Sequence, residues 1–217
     1  MSLTPSDKLP LLLAITGASG SVYGLRLLQY LIEAGQPVEL MVSCAAEQVF
    51  AEELDLSLGN NPKSSLLNYL NLPLSSPLVW HNINNFGASV ASGSYRTRGM
   101  AVVPCSLGSL AALSHGLSEN LIHRAAAVCL KERRPLFVLV REMPFDLIQL
   151  RNMVSLTEAG AIVAAASPGF YHRPQSVADQ IDFVVGRSLD QLGFDHHLFM
   201  RWKEESQPLP TTRTQAL

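Results

Sequence analysis

Short apolar runs alternate with longer amphipathic ones along the chain, and most end on a turn-forming residue. Leu9 to Ile15 is apolar and short enough for a buried strand, and it stops at Thr16-Gly17-Ala18-Ser19-Gly20. From there Val22, Leu25, Leu28 and Ile32 recur at the spacing of one helical face, up to a C-cap at Gly35. Pro37–Ser43 reads as a second strand and Ala45–Leu54 as a helix. Residues 55–77 show little periodicity, which predicts a surface connection with a short helix around Leu66–Leu70 and then a short strand at Val79-Trp80. Asn82–Arg98 is a segment of polar and small residues. Met100–Cys105 is a strand, followed by a helix from a Ser106 cap to about His115 and a helix over Asn120–Arg134 closed by Pro135. Leu136–Val140 is a strand, Phe145–Ala159 a helix ended by Gly160, and Ala161–Ala165 a strand. A loop at Pro168–Pro174 leads to a last helix, capped by Ser176 and running to about Asp190. No internal repeat is present. The order predicts an α/β fold, a parallel sheet with helices on both faces. We expect one domain over residues 1–217, its ordered core about 9–202, with polar tails at 1–8 and 203–217.

Composition sharpens this picture. Of 217 residues 47% are hydrophobic and only 16% charged, a surplus of apolar surface that predicts association between copies. No apolar run approaches a membrane span. A net charge of −2 without a long basic tract gives little support to nucleic-acid binding. Cys44, Cys105 and Cys129 lack metal-ligand or paired spacing and read as reduced, buried thiols. No basic segment precedes the first apolar run, so it reads as a strand rather than a leader, and a cytoplasmic protein is expected. The six histidines contain no His-x-x-x-His or His-Glu pair, so no metal is expected. His196 and His197 read as surface or interface residues, and Trp80 and Trp202 as packing residues, Trp202 with a possible subunit contact.

The candidate chemistry gathers at strand ends. The Gly17–Gly20 turn opens a helix at the carboxyl edge of the sheet, where free N–H groups and the helix dipole suit a phosphate. Gly17 and Gly20 would let the backbone come close to it, and Ser19 or Ser21 would add a hydroxyl. It is not the dinucleotide fingerprint, since no Gly-x-Gly-x-x-Gly is present. Thr16 to Ser19, Ser43 and Ser106 to Ser109 end three strands and should converge on one crevice, although each alone is commonly a helix cap. Lys131 either completes a helix dipole or reaches a phosphate. Arg141-Glu142 lies just past a buried strand, as a structural pair or with Glu142 as a proton donor and acceptor. Arg187 falls in an otherwise apolar stretch and needs an anion or a carboxylate, and with Tyr171 and Lys131 it would form a second anion site.

These pieces together resemble a known family. Thr16-Gly-Ala-Ser-Gly20, Tyr23-Gly24, Ser43, Ser92-Gly-Ser94, Pro104-Cys-Ser106, Leu130-Lys-Glu-Arg-Arg-Pro-Leu136, Arg141-Glu142 and Gly169-Phe-Tyr-His-Arg-Pro-Gln-Ser176 occur in order. The chain is similar over roughly residues 10–202 to the UbiX-type flavin prenyltransferases, formerly described as aromatic or phenylacrylic acid decarboxylases. The resemblance implies a three-layer αβα, Rossmann- or flavodoxin-like protomer, a homododecamer, FMN bound between subunits, and no metal. It implies transfer of a dimethylallyl group from dimethylallyl phosphate to N5 and C6 of reduced FMN, the product serving a UbiD-type decarboxylase as in ubiquinone biosynthesis. Gly17, Ala18, Ser19, Gly20, Ser43, Ser106, Leu107, Gly108, Ser109 and Arg141 resemble FMN-binding positions. Lys131, Tyr171 and Arg187 resemble positions that hold the prenyl phosphate. Glu142 resembles the acid/base residue and Glu53 an acidic active-site residue, although Leu54 stands where the family more often has Thr. Ser19 and Lys131 are counted with these two as catalytic. Phe86 falls where members vary between aromatic and aliphatic. The rivals are an FMN-dependent peptidyl-cysteine or phosphopantothenoylcysteine-type decarboxylase, whose Pro-x-Met-Asn segment is missing here, and a non-catalytic FMN-binding subunit.

Overall fold

The uninterrupted apolar runs become strands buried on both faces, which is what a parallel sheet covered on both sides requires. The computed structural model describes residues 9–202, so the polar tails expected at 1–8 and 203–217 lie outside the described residues. Strands β1 (Leu11–Ile15), β2 (Val38–Val42), β4 (Gly99–Cys105) and β5 (Leu136–Val140) are buried at every position, while β3 (Leu78–His81) and β6 (Ile162–Ala165) form the partly exposed edges. The sheet order is β3-β2-β1-β4-β5-β6 and every pairing is parallel. Among the described residues seven helices connect and cover them: α1 (Ser21–Glu33), α2 (Cys44–Leu54), α3 (Pro62–Tyr69), α4 (Leu107–Ser114), α5 (Leu121–Lys131), α6 (Leu147–Glu158) and α7 (Val177–Leu192). A 3₁₀ turn at Ser89–Ala91 interrupts the segment between β3 and β4.

Strand alternation divides the core in two. Leu11, Leu13, Ile15, Leu40, Val103, Phe137 and Leu139 point to one side, where α1, α2, α3 and α7 pack. Leu12, Ala14, Met41, Met100, Val102, Leu136 and Val138 point to the other, under α4, α5 and α6. The result is a three-layer αβα arrangement. Helix α3 starts earlier than periodicity suggested, because Asn61 caps it and Pro62 sits in its first turn. Helix α6 starts later, at Leu147, because the Asp146 side chain caps it by accepting from Gln149 N. Ser176 and Asp179 form a capping box on α7.

Two expectations need correction. Cys44 is exposed in the first turn of α2, while only Cys105 and Cys129 are buried, their thiols pushed up by burial to about 12 and about 11. His196 is not a surface residue: its side chain is fully buried and bonds the Asp190 carboxylate at 3.1 Å, whereas His197 is exposed.

Gly24 is where α1 comes close to the sheet. A Cβ there would overlap the Val103 carbonyl and lie 2.9 Å from the Ile15 side chain. Gly24→Ala is therefore expected to lower stability by about 1–2 kcal/mol, overpacking outweighing the gain in helix propensity. An unchanged or raised denaturant midpoint would contradict this contact.

Candidate active site

The strand order reverses between β1 and β4, and at such a switch point the loops leaving the carboxyl ends part to leave a crevice. Thr16 fixes its floor. Its buried hydroxyl donates to the Pro104 carbonyl at 2.9 Å and accepts from Ser106 N at 2.7 Å, tying the ends of β1 and β4. Ser43 N donates to Ile15 O at 3.0 Å and Arg141 N to Cys105 O at 3.4 Å, which brings the ends of β2 and β5 to the same edge. The three hydroxyl-bearing strand ends therefore meet as their positions implied. The Ser43 and Ser106 hydroxyls also cap α2 and α4, accepting from Ala46 N and Ser109 N, and Ser106 donates to the Ser109 hydroxyl at 3.1 Å. Ala18 is buried here, and Leu107 and Gly108 lie at the mouth of α4, with open space where a Gly108 side chain would stand.

The Gly17–Gly20 turn differs from expectation. The positive end of α1 is already occupied by a carboxylate of this chain, Glu53 from the last turn of α2. Gly20 N reaches its oxygens at 2.9 and 3.1 Å, Ser21 N at 3.1 Å and the Ser21 hydroxyl at 2.8 Å. Gly20 serves the turn through a left-handed φ of 89°, and Gly17 lets Ala45 of α2 pack against it. Burial alone would raise the Glu53 pKa, but hydrogen bonds from Ser19, Gly20 and Ser21 more than reverse this and hold it below the usual carboxylate value of 4.5. A depressed folded pKa contributes stability above the ordinary value that is lost as pH falls through the folded one. Glu53→Gln should cost about 1 kcal/mol near pH 7, after discounting for solvent. The gap should close on acidification below the ordinary carboxylate range, and a gap independent of pH would contradict the assignment.

Arg141 and Glu142 lie at the carboxyl edge, both exposed rather than paired inside the protein as one reading held. Arg141 is close enough to lower the Tyr23 pKa against the burial that raises it, so the cation borders the α1 turn. Glu142 accepts from Met143 N at 2.9 Å. Tyr171, in the loop after β6, makes edge-on ring contacts with Phe183 at 5.6 Å and Trp202 at 5.4 Å. Phe86 is exposed in the segment between β3 and β4.

The second anion site does not assemble within one chain. Lys131 ends α5, just before β5 begins, so it stands at the amino edge of the sheet, about 17 Å of strand away from the Gly17–Gly20 turn. Arg187 is on α7, against the opposite face. Each rests on a carboxylate of its own: Lys131 donates to Glu132, and Arg187 Nη1 to Asp190 at 2.8 Å. Asp190 also accepts from Arg201 and bonds His196, so the carboxylate demanded by Arg187 is present. The separation has a physical cause: the two helices cover different faces, and the sheet lies between them. Glu39, His81 and Tyr95 form a further hydrogen-bonded cluster that no motif announces. A Glu inside an apolar strand was the one signal that marked them.

A doubly wound parallel sheet with donor-rich loops at its switch point defines a nucleotide- or flavin-binding protein, and the Flavoprotein family model matches residues 2–186. The chain is 45% identical over 190 residues to the flavin prenyltransferase UbiX of Alkalihalophilus pseudofirmus, covering 88% of this chain and 94% of the relative. It is also 45% identical to UbiX of Pseudomonas aeruginosa, over 89% of this chain and 93% of that one. On that similarity the chain belongs to the UbiX family of flavin prenyltransferases. The crystal structure of AnUbiX (PadA1) in complex with FMN and dimethylallyl pyrophosphate superimposes with a TM-score of 0.82, 38% identity, and coverage of 92% of this chain and 100% of that one. A dodecameric FMN-dependent UbiX-like decarboxylase from Escherichia coli O157:H7 matches with a TM-score of 0.80 and 35% identity, covering 90% and 100%. The FMN-dependent cysteine decarboxylase TvaF shares the fold alone, at 16% identity and a TM-score of 0.58.

Proposed function

We propose that this protein is a flavin prenyltransferase that joins the dimethylallyl group of dimethylallyl phosphate to N5 and C6 of reduced FMN, and that it acts as a homo-oligomer of the dodecameric type. The observation that carries this reading is the AnUbiX superposition: FMN and a dimethylallyl phosphoester are held together on a fold that matches 92% of this chain. The residues present suit FMN. Of the helix N-termini at the crevice, that of α1 is neutralised by Glu53, which leaves those of α2 and α4, capped by Ser43 and Ser106, to meet a phosphate. The N–H groups of Gly17, Ser19, Leu107 and Gly108, with Arg141, offer amide and guanidinium donors for the carbonyl edge of a flat ring, while those of Ala18, Gly20, Ser106 and Ser109 already donate within the chain. Bound there, FMN supplies the nucleophilic ring that accepts the prenyl group.

Lys131, Tyr171 and Arg187 would hold the prenyl phosphate and offset the charge that develops as it departs, an effect that grows when water is excluded. Because one chain keeps Lys131 and Arg187 on opposite faces, a neighbouring copy has to complete the set. Exposed apolar side chains suit such a neighbour: Met143, Leu147, Ile148 and Val154 on and before α6, and Phe170 and Trp202 beside Tyr171. Glu132 and Asp190 keep both cations oriented until an anion replaces them. Glu142 would take up the proton that the reaction releases, and Glu53 with Ser19 would shape the turn beneath the ring.

We further propose that residues 9–202 work as one domain, that the product is delivered to a UbiD-type decarboxylase, and that the protein is cytoplasmic. Its three free cysteines suit a reducing compartment, and no helix among the described residues is long and apolar enough to cross a membrane. The cysteine-decarboxylase alternative rests on fold likeness alone. Wild-type protein given that class of thiol substrate should release no carbon dioxide, whereas given reduced FMN and dimethylallyl phosphate it should yield a prenylated flavin.

A further inference from the structure

Lys131 ends α5 with its ammonium, paired with the Glu132 carboxylate, against the backbone of Gly93, where an added Cβ would overlap the Glu132 carboxylate and lie 2.6 Å from Lys131 Nζ. The segment around Gly93 is part of no strand or α-helix, so no ladder fixes it. Four bonds from outside do so instead. Arg124 Nε donates to Ala91 O at 3.1 Å, and Arg134 forks onto Gly93 O at 2.6 Å and Tyr95 O at 2.7 Å. The Tyr95 hydroxyl donates to Glu39. Both arginines spring from α5 or the turn just after it, so the segment and the Lys131 ammonium share one frame.

Glu39 is the unusual member. It stands within β2, 5% exposed, at a position where an apolar side chain would pack without any partner. Its two oxygens are divided between Tyr95 and His81 Nε2, the latter at 2.6 Å. A carboxylate in such a place is tolerated only when both oxygens are bonded. Its presence therefore specifies where Tyr95, and with it the Gly93 backbone, must lie.

We infer that Tyr95, Glu39 and His81, together with Arg134, are positioning residues that hold the Gly93 segment against Lys131 and so set where its ammonium meets the prenyl phosphate. The inference rests on the reading of Lys131 as a phosphate-binding residue given above. None of the four needs to touch FMN or the prenyl group. Tyr95→Phe removes one hydroxyl and leaves the ring in place, and Arg134→Lys replaces a two-pronged donor by a point charge.

The test is calorimetric titration of dimethylallyl phosphate into the full-length protein loaded with oxidised FMN, with FMN affinity measured separately by flavin fluorescence. Tyr95→Phe is expected to weaken dimethylallyl phosphate binding about tenfold, the net worth of one strong hydrogen bond, while FMN affinity stays within about twofold of wild type. Arg134→Lys should show the same split, which keeps the test open if either variant folds poorly. His81→Gln, which retains a donor to Glu39, should bind nearly as wild type, and His81→Leu should not. Wild-type dimethylallyl phosphate affinity in Tyr95→Phe, or an equal loss of both ligands, would overturn the inference. Wild-type protein that neither binds nor transfers the prenyl group would instead refute the functional reading beneath it.

Discussion

Lys131→Ala and Arg187→Ala chains, each nearly inactive alone, are expected to recover prenyl transfer when co-expressed. Within one chain the two cations stand on α5 and α7, which cover opposite faces of the sheet, so no single small phosphate can touch both. If they serve one leaving group, they come from different copies. On the proposed reading each substitution removes a charge that matters most as the phosphate departs, and should lower transfer by about 10²–10³-fold. In a mixed assembly about a quarter of the interfaces would pair an intact Lys131 from one copy with an intact Arg187 from another. Activity should rise toward that fraction of wild type. Mixed oligomers no more active than either parent would place both residues in one copy's site and contradict the shared arrangement.

Glu142→Gln is expected to have the next largest effect, slowing prenyl transfer by about 10²–10⁴-fold while leaving FMN affinity unchanged. Glu142 follows Arg141 at the carboxyl edge, and among the described residues the neighbouring Met143 N–H donates to it. That leaves the carboxylate available to accept a proton, which an amide of the same shape cannot do. Full transfer by Glu142→Gln would remove it from the chemistry and leave Glu53 to carry the proton.

Much of the fold could be read from the chain because local and global signals agree there. The runs at Leu11–Ile15, Met100–Cys105 and Leu136–Val140 are apolar without a break, which only a strand covered on both sides uses well. Boundaries slipped where a side-chain cap, rather than periodicity, decided them, as Asn61 and Asp146 did. The hydroxyls of Thr16, Ser43 and Ser106 were legible as a group because strand order brings their ends together. The anion slot at α1 was misread because its occupant, Glu53, is 33 residues from Gly20, and periodicity carries no information about such a contact. Lys131 and Arg187 looked like partners in sequence, but their helices lie on different faces, a consequence of connection topology that residue types do not encode. His196 was misplaced for a related reason: Gly186 leaves a gap in α7 into which the His196 and Phe199 rings fit.

The most direct measurement is an anaerobic incubation of wild-type protein with reduced FMN and dimethylallyl phosphate, followed by mass spectrometry of the extracted flavin. A flavin heavier by one five-carbon unit is expected, formed only when protein, reduced FMN and dimethylallyl phosphate are all present. Flavin of unchanged mass, recovered from folded protein that binds FMN, would contradict it.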